Sequence, residues 1–200
     1  LISSKGHLVY NANDKILKDR LDNSKGIKFS SSDLAHTKID RNRLYLKGQH
    51  NHSNIAAAIA ISSKYSIKDK IVFKSIREFK SLPHRLEFIA EKNGVSSYND
   101  SKATNIKSMI AAIESFNDEI IIIMGGLDKG DSDFLSALKT SKTKIKFISC
   151  YGESGEYIYN NIKSEFWCAY NKEFTKSVLE AVSKSMVGDI LLLSPGCASY

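Results

Sequence analysis

Ile120-Ile121-Ile122-Ile123-Met124-Gly125-Gly126 runs four isoleucines and a methionine, with no polar interruption, into a pair of glycines. A strand with one wet face alternates apolar and polar residues. An unbroken β-branched run instead fits a strand covered on both faces, as in a parallel sheet between helices. Ile190-Leu191-Leu192-Leu193 repeats the pattern near the end of the chain. Working outward, strand patterns fall at 86–90, 95–98, 145–151 and 166–169. Helical patterns at 105–115, 134–139, 155–162 and 174–184 separate most of them. Asn93-Gly94 between the first two strand patterns is a hairpin turn signal. From Ser81 onward the chain therefore reads as an α/β domain: a mostly parallel sheet with flanking helices and one small antiparallel element.

Residues 1–80 carry weaker signals. A short strand is predicted over 7–10, followed by Asn11-Ala12-Asn13-Asp14, a turn-and-cap sequence that starts a helix near Lys15. Brief strands are predicted over 27–29 and 44–46. Gly48-Gln49-His50-Asn51-His52-Ser53-Asn54 then precedes an Ala-rich helix over 55–63, and a second helix covers 71–79. This stretch has little apolar material for a closed core and reads as the end of a domain that begins before Leu1.

Composition narrows the function classes. The 200 residues are 42% hydrophobic and 26% charged, as in an ordinary globular protein. No apolar run approaches the ~20 residues of a membrane span, and Leu1-Ile2-Ser3-Ser4-Lys5 is not a signal peptide. Cys150, Cys168 and Cys197 are odd in number and lack metal-ligand spacing, which fits reduced cytoplasmic thiols. The net charge of +7 is spread along the chain. Without an aromatic-interleaved basic motif or a zinc or helix-turn-helix signal it does not point to nucleic acid. It suits small phosphorylated ligands, or simply solvated surface.

In a parallel sheet, ligands meet the carboxyl ends of the strands, and the polar clusters fall there. Asn99-Asp100-Ser101-Lys102-Ala103-Thr104-Asn105 follows one strand, Gly125-Gly126-Leu127-Asp128-Lys129-Gly130 another, and Ser194-Pro195-Gly196-Cys197-Ala198-Ser199 the last. The first places a carboxylate, a lysine, a hydroxyl and two carboxamides at one strand-to-helix corner, where free helix N–H groups favour anions. The plainer reading is a polar connector with Asn99 or Asp100 capping the helix. Gly125 and Gly126 allow close approach to a ligand, and Lys129 supplies a cation, but the spacing is not that of a P-loop. Tyr151-Gly152-Glu153-Ser154-Gly155 also reads as a loop at the ligand edge, with no role assigned. His50-x-His52 lacks a carboxylate or third ligand and reads as a helix entry, not a metal site. His84 reads as structural.

These runs, together with Leu82-Pro83-His84-Arg85-Leu86-Glu87 and the Gly48–Asn54 segment, resemble the Mur ligases in order and separation. The Asp-Ser-Lys-Ala-Thr-Asn run resembles the branch that adds D-glutamate to UDP-N-acetylmuramoyl-L-alanine. Sister ligases carry Tyr-Ala-His or Tyr-Asn-Ala there, and folylpolyglutamate synthases Gly-Ala-His. The resemblance implies an ATP-dependent, magnesium-assisted amide ligase of peptidoglycan precursor synthesis, cytoplasmic and monomeric, working through an acyl phosphate without nucleic acid or membrane. It implies a Rossmann-like C-terminal domain over 81–200, preceded over 1–80 by the tail of a central ATP-binding α/β domain. By the same resemblance, Asn51 and Asn54 lie at the nucleotide, although Asn51 could equally cap the Ala-rich helix. Arg85 reaches the ATP phosphates, and Asp100 accepts hydrogen bonds from the ribose. Lys102 sits at the reacting carboxyl groups as the catalytic candidate. Thr104, Lys129 and Ser199 hold D-glutamate.

The family's phosphate loop and magnesium ligands have no counterpart in these 200 residues and are expected upstream, and a final helix downstream, so the fragment alone is expected to be inactive. Two alternatives stay open: another Mur-type or folylpolyglutamate-type ligase, or a non-catalytic α/β binding module.

Overall fold

The computed structural model describes residues 6–21, 26–37, 39–40, 44–127, 133–141 and 145–198. Contacts divide the chain into two compact units, Leu1–Lys80 and Ser81–Tyr200.

The first unit contains a parallel pair, β1 (Val9–Asn11) and β2 (Ile27–Phe29), linked through α1 (Lys15–Leu21). Asp14 starts that helix by accepting the Leu17 N–H at 3.0 Å. Ser30 and Asp33 then form a reciprocal capping box on a 3-10 segment, Ser31–His36. Residues 44–46 are not a strand but a bend. Leu44 is spent on packing instead: with Leu34, Ile55 and Val72 it belongs to a small closed core of this unit, one that the sparse apolar content did not suggest. Helix α2 (Gln49–Lys64) starts six residues before the Ala-rich run. No side chain caps its start, so Asn51 is not the cap: Asn51 Nδ2 donates to Lys47 C=O at 2.8 Å, and Asn54 Nδ2 to Asn51 Oδ1 at 3.3 Å. Helix α3 (Asp69–Glu78) completes the unit.

The second unit is one six-stranded sheet. Its elements in chain order are β3 (Glu87–Lys92), β4 (Val95–Asn99), α4 (Ile106–Ile113), β5 (Ile120–Gly125), α5 (Phe134–Thr140) and β6 (Ile145–Tyr151). Then come α6 (Gly152–Ile162), β7 (Cys168–Asn171), α7 (Phe174–Lys184) and β8 (Ile190–Gly196). The strand order is β3-β4-β8-β5-β6-β7, with only β3 antiparallel. Asn93 and Gly94 both have positive φ, 54° and 74°, the geometry of a two-residue hairpin turn that follows the sheet twist. The chain winds outward from β5 to β7, and β8 returns to fill the slot between β4 and β5.

That slot explains the isoleucines. Alternate side chains of a strand point to opposite faces. Ile120, Ile122 and Met124 enter a core with Met109 of α4, Phe134 of α5 and Ile158 of α6. Ile121 and Ile123 enter a second core with Phe147 of β6 and Ala181 of α7. All four isoleucines are at most 3% exposed, and each stabilises the fold by roughly 2–3 kcal/mol relative to exposure. β8 continues three residues past the apolar run, through Pro195, because the ladder to β5 shifts register between Ile123 and Gly125, where a residue without an N–H is tolerated.

At the opposite end of the sheet Asp189, 4% exposed, accepts the Met186 N–H at 2.7 Å and the Lys146 ammonium at 2.7 Å. Replacing Lys146 with alanine leaves that buried carboxylate without its counter-charge. Urea unfolding of Lys146→Ala should show a loss of roughly 3 kcal/mol; an unchanged midpoint would mean that the pair contributes nothing.

Candidate functional site

The β4 corner is built by its own side chains. Asn99 Oδ1 accepts the Ser101 N–H at 3.0 Å, turning the chain off the strand. The Asp100 N–H donates to Leu193 C=O on β8 at 2.7 Å, and its C=O accepts the Ala103 N–H at 2.9 Å. Ala103 C=O then accepts the Gly196 N–H at 2.9 Å. Helix α4 is capped by Asn105, whose Oδ1 accepts the Ser108 N–H at 2.9 Å, and not by Asn99 or Asp100. Those two are free of capping duty because the turn intervenes. The side chains of Lys102 and Thr104 are left exposed at the strand end.

Asp100 is only 8% exposed, and each carboxylate oxygen has a donor: Oδ1 takes the Leu86 N–H at 3.0 Å and Oδ2 the Ser194 hydroxyl at 3.1 Å. Burial raises its pKa above the ordinary carboxylate value, against the opposing pull of Leu86 N–H, Ser194 and the Arg85 guanidinium. The carboxylate thus clamps β8 and the 82–86 loop onto β4. That loop needs the clamp, because His84 and Leu86 both stand at positive φ, 65° and 46°, where non-glycine residues are strained. Further ties are Lys102 N–H to His84 C=O at 3.1 Å, Asn99 Nδ2 with His84 Nδ1 at 3.0 Å, and His84 N–H to Glu87 Oε2 at 2.8 Å. His84 is therefore a structural part of the loop, and the exposed Arg85 is presented beside Asp100.

The neighbouring strand ends are locked to each other. Leu127 and Ala198 exchange both backbone hydrogen bonds at 3.0 Å, joining the loops after β5 and β8. Gly125 has φ 132°, and a Cβ there would lie 2.0 Å from Tyr151 C=O on β6. Helix α6 begins at Gly152, three residues earlier than its pattern suggested, and the Ser154 side chain holds Gly126 C=O at 2.9 Å.

Arg85, Asp100, Lys102 and Thr104 thus belong to one constellation at the carboxyl end of β4. Asn51 and Asn54 lie in the other unit, on the first turns of α2, bonded to each other. Lys129 and Ser199 fall outside the described residues. The buried hydroxyls of Ser154 and Ser194 were not singled out by sequence reasoning, although both stand inside runs that it marked. A serine in a polar loop carries no sign of what it bonds. Among the described residues no group of three or more His, Cys, Asp or Glu could hold a metal ion, and no helix is long and apolar enough to cross a membrane.

The glycine contacts make a sharp comparison. Gly125→Ala drives a Cβ into backbone that cannot move aside and should cost more than about 3 kcal/mol or prevent folding. Gly188, also at positive φ (93°), has open space around its would-be Cβ. Gly188→Ala should carry backbone strain alone, about 1–2 kcal/mol. Paired denaturant melts test this, and equal losses at the two positions would contradict the close approach at Gly125.

Comparison with known proteins follows the same ground. Residues 84–197 match the family model described as Mur ligase, glutamate ligase domain. The UDP-N-acetylmuramoylalanine–D-glutamate ligase of Lachnospira eligens is 36% identical over 178 residues, covering 87% of this chain and 39% of the relative. The ligase of the same name from Caldicellulosiruptor saccharolyticus is 34% identical, covering 100% of this chain and 49% of the relative. The chain thus spans no more than about half the length of these curated relatives. Among solved structures, the UDP-N-acetylmuramate-alanine ligase MurC of Thermotoga maritima superposes with a TM-score of 0.62 at 18% identity, over 78% of this chain and 36% of that one. MurF ligase of the same organism, in complex with ADP, gives 0.54 at 19% identity, over 76% and 35%. At these identities the structural likeness speaks for the fold. With the family model spanning residues 84–197, more than half of the chain, the chain belongs to the Mur ligase family.

Proposed function

We propose that this chain is part of a ligase that joins D-glutamate to UDP-N-acetylmuramoyl-L-alanine, with ATP converted to ADP and phosphate, in peptidoglycan precursor synthesis. The observation that carries this reading is the shared name of relatives aligned over 87% and 100% of the chain. In it, residues 1–80 are the C-terminal part of the central ATP-binding domain and 81–200 the glutamate ligase domain.

Two steps make the amide. A carboxylate oxygen of the alanyl group attacks the γ-phosphorus, the bond to ADP breaks, and an acyl phosphate forms. The amine of D-glutamate then attacks the acyl carbon, phosphate leaves, and the nitrogen loses a proton. Each step gathers anions, so the protein's contribution is to hold them in line and offset their charge. Arg85, exposed beside the β4 corner, supplies a guanidinium fork for the phosphates. Lys102, exposed on the same corner, offers its ammonium to the reacting carboxyl groups and the charge developing there. Thr104 and Lys129 hold the α-carboxylate of D-glutamate and Ser199 its side-chain carboxylate. Asn51 and Asn54 contact the nucleotide.

Asp100 accepts the ribose hydroxyls in this reading. Each of its oxygens already takes one internal donor, and a carboxylate oxygen can accept a second. Ribose contact and loop bracing are therefore compatible duties. Magnesium bound to the nucleotide neutralises phosphate charge; none of the described residues is grouped to hold it, and none is assigned to it.

The test is phosphate release by the full-length ligase containing this chain, given ATP, magnesium, UDP-N-acetylmuramoyl-L-alanine and either glutamate isomer. Release is expected with D-glutamate and not with L-glutamate; release with neither would remove the substrate assignment. In the same assay, Lys129→Ala should raise the KM for D-glutamate by at least about tenfold, as loss of a charge-assisted hydrogen bond implies. The KM for ATP should stay near its original value, and equal losses for both substrates would take Lys129 out of the amino-acid pocket.

A further inference from the structure

Tyr151-Gly152-Glu153-Ser154-Gly155 takes no part in the chemistry above, yet it stands where two substrate loops meet. The Ser154 hydroxyl donates to Gly126 C=O at 2.9 Å, and the Ser154 backbone N–H donates to the same oxygen at 3.1 Å. Sγ of Cys197 lies 3.5 Å from the Ser154 oxygen, on the loop after β8. One residue of α6 therefore touches the loops after both β5 and β8. Ser154 is 6% exposed, so water has little room to take over its bonds if the hydroxyl is removed.

The carbonyl that it holds is the pivotal one. Gly126 stands at φ 138°, and a Cβ there would lie 2.7 Å from Ala198 C=O. The peptide is squeezed between the loop after β8 and α6, and two donors fix the direction of its oxygen. The next residue, Leu127, pairs with Ala198 in both directions. Lys129 follows Gly126 by three residues, and Ser199 follows Cys197 by two. Two of the three groups assigned to the carboxylates of D-glutamate, Lys129 and Ser199, thus follow in sequence directly on a junction that Ser154 ties together.

We propose that Ser154 is the positioning residue of the amino-acid pocket: its hydroxyl fixes the Gly126 carbonyl, and so sets where the Lys129 and Ser199 loops leave the sheet. The inference rests on the assignment of Lys129 and Ser199 to D-glutamate. Ser154 itself touches no substrate and acts through the two loops. Its removal should therefore loosen the amino-acid pocket and leave the Arg85–Asp100 corner, which is clamped separately by Ser194 and Leu86, as it was.

Steady-state kinetics of the full-length ligase carrying Ser154→Ala, Ser154→Thr or Lys129→Ala test this. Ser154→Ala should raise the KM for D-glutamate roughly fivefold to tenfold, the worth of one buried hydrogen bond, with the KM for ATP within about twofold of the parent. Ser154→Thr, which keeps the hydroxyl, should restore most of the loss. An unchanged KM for D-glutamate in Ser154→Ala, or equal rises for D-glutamate and ATP, overturns the proposal. If Ser154→Ala folds poorly, the isosteric Ser154→Cys, a weaker donor, takes its place under the same criteria. A selective rise in Ser154→Ala with no effect of Lys129→Ala removes the Lys129 assignment and overturns the proposal with it. An effect of Lys129→Ala alone keeps that assignment and overturns only the role of Ser154.

Discussion

Burial of β5 on both faces is the constraint from which the second unit follows. A strand whose every side chain is inside has no surface on which to carry chemistry, and its backbone must be paired on both edges. β8 and β6 supply those edges, and helices α4, α5 and α6 on one face and α7 on the other supply the apolar cover. What is left for function is the strand ends. Polar side chains from β4, β8 and the start of α6 lie there.

The strand-end loops are held by hydrogen bonds, and several are buried, which gives them more consequence than surface contacts. A buried carboxylate such as Asp100 is tolerable only with donors on its oxygens, and the donors that it uses come from two other segments. The same network stabilises a loop with two residues at positive φ. Local strain at His84 and Leu86 and a buried charge at Asp100 would each be unfavourable alone; together they place Arg85 at the edge of the corner. The Gly125–Leu127 segment follows the same logic by another means, with close backbone approach and a serine latch in place of a carboxylate.

The first unit shows how little apolar material can close a core when local polar structure does the rest. Leu34, Leu44, Ile55 and Val72 meet around a 3-10 segment with a capping box at Ser30 and a helix, α2, whose start carries no side-chain cap. Asn51 and Asn54 are bonded to each other on its first turns, and a role at the nucleotide would draw on the same side chains.

The sequence by itself determined the α/β class, the alternation of strands and helices from residue 81 and the hairpin at Asn93-Gly94. These signals are local: side-chain period, continuous β-branched burial and a turn that demands positive φ each act within a few residues. It also placed the run from Asp100 directly after β4, whereas the run from Ser194 begins inside β8, which pairs on to Gly196. Tertiary structure alone decided that β8 lies between β4 and β5, that 44–46 bends instead of pairing, and that α2 and α6 begin inside polar or glycine-rich runs. It alone decided that Asn105 caps α4, that Asp100 is buried, and that Ser154 and Ser194 are its counterparts in holding the loops. Each of these depends on a partner far away in the chain, on which backbone N–H or carbonyl is left unpaired once the sheet has closed, and no local pattern of residues carries that information.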